Sequence, residues 1–201
     1  MEKEKMDERY ERCIEYVLRH EGGLSNNIND VGGITNYGIS IKLARDIGDF
    51  ELFDVDGDGK INSQDIKKMT KEIAKKIYYK YFWNPLKLSM VKDIRICLLI
   101  LDAGINHGIF GASKLVQKTL NLCKKKEKKD DDNLYIDGII GIKTLKQLNR
   151  VNVDEFINNF NKKREDLYRA IVNKNPAQEC FLNGWLNRIA QCNKEIKEIK
   201  E

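Results

Sequence analysis

Apolar residues recur along most of the chain at the spacing of amphipathic helices. The first such stripe begins near Asp7 and follows the i, i+3, i+4, i+7 pattern that places side chains on one helical face. Its members are Tyr10, Cys13, Ile14, Val17 and Leu18. The pair Gly22-Gly23 predicts where this helix ends, because glycine is a poor helix former and a common C-terminal stop.

The same reading predicts a mainly α fold with one small β element. Residues 31–41 (VGGITNYGISI) mix glycine and asparagine with β-branched residues, which predicts a short β-hairpin. The predicted later helices cover residues 63–81, 90–105, 111–122, 142–149, 153–173 and 184–192. The helix at 90–105 is apolar nearly all round and should be buried. We expect residues 1–90 and 91–201 to form two segments that pack as one compact unit.

Composition narrows the class of protein. The chain has 201 residues, of which 41% are apolar and 33% charged, as in soluble globular proteins. A net charge of +5, with both signs interspersed, does not favour nucleic-acid binding. The longest apolar run, Ile96–Leu101, is far shorter than the roughly 20 residues that span a bilayer, so we expect no membrane insertion. Five cysteines without CxxC spacing favour reduced thiols over disulfides or a zinc site.

Glu21 is the first candidate for chemistry. It follows Tyr10 by eleven positions, which places it on the apolar face of the first helix, near the C-terminus. Burial and the negative end of the helix dipole both favour the protonated carboxylic acid there. Such a group can donate a proton to a glycosidic oxygen, as the general acid of a glycosidase does. A surface or helix-capping role is the alternative.

Two residues near the predicted hairpin would complete a glycosidase centre. Gly22-Gly23 allow a sharp turn and leave space for a polymeric substrate beside Glu21. Asp30 is the nearest carboxylate able to stabilise positive charge or activate water opposite the acid, and Thr35 could hold that water.

The residues around this centre resemble a known enzyme family. The segment HEGGLSNNINDVGGITNYGIS (residues 20–40) is similar to the characteristic segment of glycoside hydrolase family 108, bacterial and phage N-acetylmuramidases that include endolysins and secretion activators. The resemblance implies that the Glu of the EGG motif, Glu21 here, is the catalytic acid. The order of acid, hairpin Asp and Thr is also similar to that of phage lysozymes, which implies a lysozyme-like fold with the hairpin at the active-site cleft.

The resemblance continues downstream of the candidate centre. Residues 101–121, 135–149 and 181–189 look like successive blocks of the predicted peptidoglycan-binding region that follows the catalytic segment in this family. This implies that peptidoglycan glycan strands are the partner and that the C-terminal helices complete the glycan groove.

An acidic stretch between hairpin and helix has the spacing of a calcium loop. In DVDGDGKINSQD (residues 54–65), oxygen ligands fall at loop positions 1, 3, 5 and 12, with glycine at position 6. The predicted ligands of Ca²⁺ are Asp54, Asp56, Asp58, the Lys60 carbonyl and Asp65. Aspartate at position 12 reaches less far than glutamate, so we expect modest affinity and a structural role. The alternative is an acidic turn without metal.

Three further residues are candidates for substrate contact. Tyr37 lies beside the proposed cleft and could stack on a sugar ring, although aromatic residues such as Trp83 and Trp185 are more often buried. Asp102 and Asn106 would line the groove or, alternatively, support the active site from the core.

The residues and the resemblance together predict a peptidoglycan hydrolase that cleaves the β-1,4 bond between N-acetylmuramic acid and N-acetylglucosamine. We expect it to act as a monomer in phage- or prophage-driven lysis. The opening MEKEKMDERYER lacks the apolar core of a secretory signal, so we expect synthesis in the cytoplasm and release through a holin or an exporter.

Two other functions compete with this one. The chain could be a noncatalytic wall-binding or secretion-assisting module stabilised by calcium. It could also be a calcium-responsive interaction protein, which a single loop supports little because calcium sensors commonly pair their loops.

Overall fold

A computed structural model describes residues 7–25, 33–123 and 133–199 of the chain. Within these residues the fold is mainly α with one two-stranded antiparallel sheet, which confirms the predicted fold class. The strands are β1 (Thr35–Asn36) and β2 (Ile39–Ser40). The α-helices are α1 (Glu8–His20), α2 (Ile41–Ile47), α3 (Phe50–Phe53), α4 (Ser63–Lys68), α5 (Lys71–Tyr78), α6 (Ile94–Leu122), α7 (Ile142–Leu148), α8 (Val153–Lys174) and α9 (Glu179–Glu198). The chain divides into two compact units, residues 1–81 and 82–201.

Helix α1 of the first unit follows the predicted stripe. The Asp7 side chain caps its first turn by accepting from the Arg9 backbone N–H at 2.9 Å. All five members of the predicted stripe are buried, which confirms the helical face. The Tyr10 ring packs edge-on against Tyr79 at 4.9 Å between centroids, and its hydroxyl donates to the Lys75 carbonyl.

The predicted hairpin is present and its turn is tight. Thr35 pairs with Ser40 and Asn36 with Ile39. The two turn residues between the strands, Tyr37 and Gly38, both have positive φ, at 50° and 77°. This is the requirement of type I′ turns, whose twist matches that of the flanking strands.

The helix predicted over residues 63–81 is broken in two, so that prediction is wrong in its continuity. Thr70 interrupts it and caps α5, because its side-chain oxygen accepts from the Ile73 N–H at 3.2 Å. The buried Asn36 amide of the hairpin donates to the Ile66 carbonyl at 3.0 Å and the Met69 carbonyl at 3.4 Å. These carbonyls lie at the end of α4, so the break serves as the attachment point of the hairpin.

Helix α6 forms the core of the second unit. It spans the regions predicted as two helices, which join across a kink at Gly108, where φ is 71° and ψ is 162°. It packs against α8 and α9. By length and composition α6 could cross a membrane, but 61% of its most apolar window is buried inside the structure. The burial accounts for the apolar composition of α6, because a helix in a protein core packs apolar side chains on most of its faces.

Candidate active site

Glu21 closes α1 and faces the turn of the hairpin. Its backbone N–H donates to the Val17 carbonyl at 2.9 Å, and Gly22 follows with a φ of 76° that turns the chain away. The half-buried side chain packs against Gly38, where a methyl group would lie 2.7 Å from the Glu21 Oε2 atom. The carboxyl group is therefore directed at the hairpin turn.

Tyr78, which the sequence analysis did not select, holds the turn in this position. This buried side chain on α5 donates its hydroxyl to the Tyr37 carbonyl at 2.9 Å. A methyl group at Gly38 would lie 2.6 Å from the Tyr78 hydroxyl. One feature of the sequence could have identified Tyr78, namely that it is a tyrosine in a helix with a buried face. The hydroxyl of a buried tyrosine needs a hydrogen-bond partner.

Ion pairs along α1 fix the helix that carries Glu21. The Lys75 ammonium group on α5 lies 2.7 Å from Glu11 and 2.8 Å from Glu15, and Lys71 lies 2.7 Å from Glu15. Hydrogen bonds from Lys71 and Lys75 hold the pKa of Glu15 below its usual range. Helices α1 and α5, which carry the acid and Tyr78, are therefore attached to each other along their length.

Of the other predicted catalytic groups, Thr35 lies within the described residues. Thr35 lies on β1, where it forms a backbone bridge with Ser25 through N–H···O bonds of 2.8 and 2.9 Å. Its hydroxyl donates to the Gly33 carbonyl at 3.3 Å. This bridge closes the base of the segment that contains Asp30, which itself lies outside the described residues. The half-exposed Tyr37 occupies the turn.

Asp102 does not line a groove. Its side chain is 1% exposed and lies between Arg164 of α8, at 2.9 Å, and Arg188 of α9, at 2.8 Å. A carboxylate so enclosed cannot contact a polysaccharide, so the predicted groove role of Asp102 is wrong, because its partners are two arginines of the helical core. The exposed Asn106 donates to the Asp102 backbone carbonyl at 3.1 Å.

His107 lies beside this ion pair. Burial, and after it the charge of Arg164, lowers the pKa of His107 to about 4. Its ring packs on Tyr168 at 5.1 Å between centroids, and its buried Nε2 has no hydrogen-bond partner among the described residues. The imidazole is therefore neutral at physiological pH.

The acidic loop of residues 54–65 brings three carboxylates together. One oxygen each of Asp54, Asp56 and Asp58 lies within 4.8 Å of the others. Asp54 also accepts from the backbone N–H groups of Asp58 and Gly59, at 3.0 and 2.9 Å, which curls the chain around it. Carboxylate oxygens at this separation are what Ca²⁺ requires, because its ligands lie about 2.3–2.6 Å from the ion.

Asp65 holds the loop closed from inside. This fully buried carboxylate accepts from the backbone N–H groups of Val55 at 2.8 Å and Asp56 at 3.3 Å with one oxygen, and from Asn62 at 2.7 Å with the other. It also completes the capping box of α4. Asp65 thus joins the first and last parts of the loop, while Lys68 forms an ion pair with Asp56 at 3.1 Å.

Two family models match successive parts of the chain. The family model described as glycosyl hydrolase 108 matches residues 14–108, which include Glu21, the hairpin and the acidic loop. A second model, described as a predicted peptidoglycan domain, matches residues 111–190. The two matches meet at the Gly108 kink of α6, whereas the compact units divide between residues 81 and 82.

The fold is shared with a solved structure. The structure of Brucella abortus SagA aligns with a TM-score of 0.72 and 24% identity, covering 94% of each chain. No functionally curated protein matches the chain. Residues 14–108 thus form a glycosyl hydrolase 108 domain, and residues 111–190 form a predicted peptidoglycan domain.

Proposed function

We propose that the chain is an N-acetylmuramidase that cleaves the β-1,4 bond between N-acetylmuramic acid and N-acetylglucosamine in peptidoglycan. The observation that carries the proposal is the position of Glu21, at the end of α1 and against the hairpin turn, inside the glycosyl hydrolase 108 match. The predicted peptidoglycan domain supports the substrate class.

In the proposed reaction, Glu21 protonates the glycosidic oxygen as the bond to the anomeric carbon breaks. Asp30 is the proposed second group, which either attacks the anomeric carbon or activates the attacking water. Thr35 would orient that water, and Tyr37 would contact a sugar ring. The rigid attachment of α1 to α5 supports this role, because a general acid needs a fixed position relative to the bond it cleaves.

The test is the release of reducing ends from purified peptidoglycan by the wild type and by Glu21→Gln. Loss of a general acid typically costs about 10²–10⁴-fold in rate, so we expect activity to fall by at least about 100-fold. The matched control is Glu8→Gln, which removes an exposed carboxylate from the first turn of the same helix, outside the proposed centre. Undiminished activity of Glu21→Gln would contradict the mechanism, and a wild type that releases no reducing ends would favour the noncatalytic wall-binding alternative.

The role of Asp30 is tested separately with Asp30→Asn. Mass spectrometry of the released glycan ends identifies the bond that is cleaved. We expect N-acetylmuramic acid at the new reducing end and a strong loss of rate in Asp30→Asn. A variant of normal rate would assign the second role to another group without affecting Glu21.

We also propose that the Asp54–Asp65 loop binds Ca²⁺ as a structural ion. The donor set fits, because Asp54, Asp56 and Asp58 converge and the Lys60 carbonyl follows at the usual position of a backbone ligand. Asp65, predicted as a ligand, would instead organise the loop, because both of its carboxylate oxygens accept backbone N–H groups. Bound Ca²⁺ would offset two of the three negative charges of these carboxylates, which otherwise repel one another.

Calcium binding is tested by the melting temperature in Ca²⁺ and in chelator. A ligand at about 100 times its Kd stabilises the folded state by about 2.7 kcal/mol, so we expect a clear rise that Asp56→Ala abolishes. The matched control, Asp46→Ala, removes an exposed carboxylate of α2 and should keep the rise. If Ca²⁺ raised the melting temperature of Asp56→Ala as much as that of the wild type, the proposed calcium site would be contradicted.

In the cell we propose that the enzyme contributes to bacterial lysis, as an endolysin does. Its proposed substrate lies beyond the cytoplasmic membrane, so activity requires release through a holin-type pore or an exporter. Expression in a bacterial host with and without a holin tests this role. We expect lysis with the holin and none with the Glu21→Gln variant.

A further inference from the structure

A cluster of apolar side chains in the second unit faces the solvent. Phe110 on α6 is 57% exposed, and four residues of the segment 135–142 are also exposed: Tyr135 at 85%, Ile136 at 37%, Ile139 at 62% and Ile142 at 83%. Phe110 joins the group because its ring packs against Gly138, where a methyl group would lie 2.4 Å away. We name these five residues the exposed apolar patch.

The segment that carries this patch is held rigidly without help from the exposed side chains. The Asn121 side chain of α6 binds both backbone groups of Leu134, through its amide nitrogen and its carbonyl oxygen, at 2.9 Å each. Leu134 and Ile140, which point inward, are buried. The outward side chains therefore contribute little to folding.

Gln117 of α6 fixes the middle of the same segment. Its amide nitrogen donates to the Asp137 carboxylate at 2.6 Å and to the Ile139 carbonyl at 3.0 Å, and its oxygen accepts from the Gly138 N–H at 2.9 Å. Gly138 has a φ of 78°, which allows the close approach of Phe110. A preorganised surface of this kind loses little conformational entropy when it binds a partner.

The chain segments that carry the patch contain more lysines than acidic residues. In residues 110–123 and 133–146 the charged side chains are four lysines and one aspartate. The lysines are Lys114, Lys118, Lys143 and Lys146. Lys114 places its ammonium group 4.2 Å from the centre of the Phe110 ring, while Lys143 directly follows Ile142 in α7 and Lys146 lies one turn further on.

These features match one kind of occupant. Sugar rings have apolar C–H faces that pack on aromatic and aliphatic side chains, and the peptide stems of peptidoglycan carry carboxylates that complement lysines. Exposed apolar patches with a polar rim commonly mark binding sites. We infer that the exposed apolar patch and its surrounding lysines form the face that binds a peptidoglycan strand, with the apolar residues on the glycan and the lysines on stem carboxylates. This inference rests on the proposed function, because it takes peptidoglycan as the substrate.

The direct test measures sedimentation of the protein with purified peptidoglycan that has been freed of teichoic acid. All proteins carry Glu21→Gln so that the polymer stays intact. We expect the double variant Tyr135→Ala/Ile139→Ser to need at least about tenfold more peptidoglycan for half-maximal binding, because a few central side chains usually dominate an interface. The matched control is Met90→Ser, which removes another apolar side chain of the second unit, 59% exposed and outside the patch.

Unchanged binding by the double variant, with a folded circular dichroism spectrum, would overturn the inference. So would a wild-type dimer, measured by sedimentation velocity, that the double variant dissociates, since the patch would then join two copies of the chain. Failure of the proposed function is distinguished by a different result, hydrolysis that persists in the Glu21→Gln protein.

The lysine contribution is tested by salt. Binding to stem carboxylates should weaken as salt rises from low to high concentration. The variant Lys143→Ala/Lys146→Ala should bind more weakly at low salt and converge with the Glu21→Gln protein at high salt. A variant equal to that protein at both salt concentrations would contradict the carboxylate contacts.

Discussion

The two compact units reach stability by different routes. In residues 1–81 the strands are two residues long and the helices after α1 have at most eight residues, so side-chain bonds to backbone groups, such as those of Asn36, Asp65 and Tyr78, hold the parts together. In residues 82–201 the three main helices have 29, 22 and 20 residues and enclose a buried ion pair. Substitutions in the first unit should therefore act on the site, whereas those in the second should act on global stability.

The largest effect is expected from Asp102→Ala in the second unit. Arg164 is fully buried and would lose its counter-charge, and breaking a buried pair from one side typically costs about 3–5 kcal/mol. We expect the free energy of unfolding, measured with urea, to fall by about this amount. Asp154→Ala is the control, because Asp154 is 81% exposed and its pair with Arg95 spans 3.6 Å, so its loss should cost under about 1 kcal/mol. Equal losses in the free energy of unfolding for Asp102→Ala and Asp154→Ala would contradict the claim that burial makes the Asp102 ion pair costly to break.

The next largest effect is a dependence of the stability of the second unit on pH. The folded pKa of His107 is about 4, below the value of 6.5 in the unfolded chain, because burial disfavours its charged form. As the pH falls, the unfolded chain binds this proton first. The stability present above pH 6.5 is therefore lost between about pH 6.5 and pH 4, by at most about 3 kcal/mol.

Urea unfolding at pH 7.5 and pH 4.5 measures this loss. In His107→Gln the difference between the two pH values should shrink by about 2–3 kcal/mol. His20→Gln is the control, since His20 is exposed and its ring contacts Tyr16 on the same helix. An unaltered pH dependence in His107→Gln would show that other groups carry it.

The next largest effect is expected in the first unit, from Gly38→Ala. The added methyl group would meet the Glu21 carboxylate and the Tyr78 hydroxyl within 2.7 Å, at a positive φ. We expect a loss of about 1–3 kcal/mol in stability and at least about tenfold in hydrolysis. Gly48→Ala is matched to it, because Gly48 also has a positive φ but its nearest such neighbour is 3.8 Å away. Full activity in Gly38→Ala would separate the hairpin turn from catalysis.

The smallest effect is expected from Lys68→Ala. Its ammonium group lies 3.1 Å from the Asp56 carboxylate and would compete with the proposed Ca²⁺ for it. Removing this exposed positive charge should tighten Ca²⁺ binding by about two- to fivefold, or under about 1 kcal/mol, when titrated calorimetrically. Lys67→Ala, the exposed neighbour on α4, should change the affinity less. Weaker binding in Lys68→Ala would contradict the proposed role of Asp56 as a ligand.

Local patterns predicted much of the fold and part of the candidate site. The stripe from Tyr10 to Leu18 became the buried face of α1, and residues 35–40 form the hairpin. Helix α1 and the hairpin both depend on contacts between residues close together in the chain. Apolar periodicity and turn-forming residues therefore predict them directly. The spacing of Asp54, Asp56 and Asp58 likewise placed their carboxylates together.

Contacts between distant residues were not predictable in this way. The carbonyls at the end of α4 bind the amide of Asn36, about thirty residues earlier, and the apolar pattern contains no sign of this contact. The sequence left Asp102 between a groove role and a core role, and the two arginines that decide this lie far along the chain, on α8 and α9. Tyr78 gained its role only when folding brought it to the turn at Tyr37.

The sequence by itself determined the helical class, the hairpin, the acidic loop and Glu21 as the candidate acid, because each is specified by residues close together in the chain. Only the tertiary structure decided which polar groups are enclosed in the core and which apolar ones stay in water. Asp102 is charged yet buried, and Tyr135 is aromatic yet exposed. The physical reason is that burial depends on partners from other elements, and a one-dimensional pattern does not contain that information.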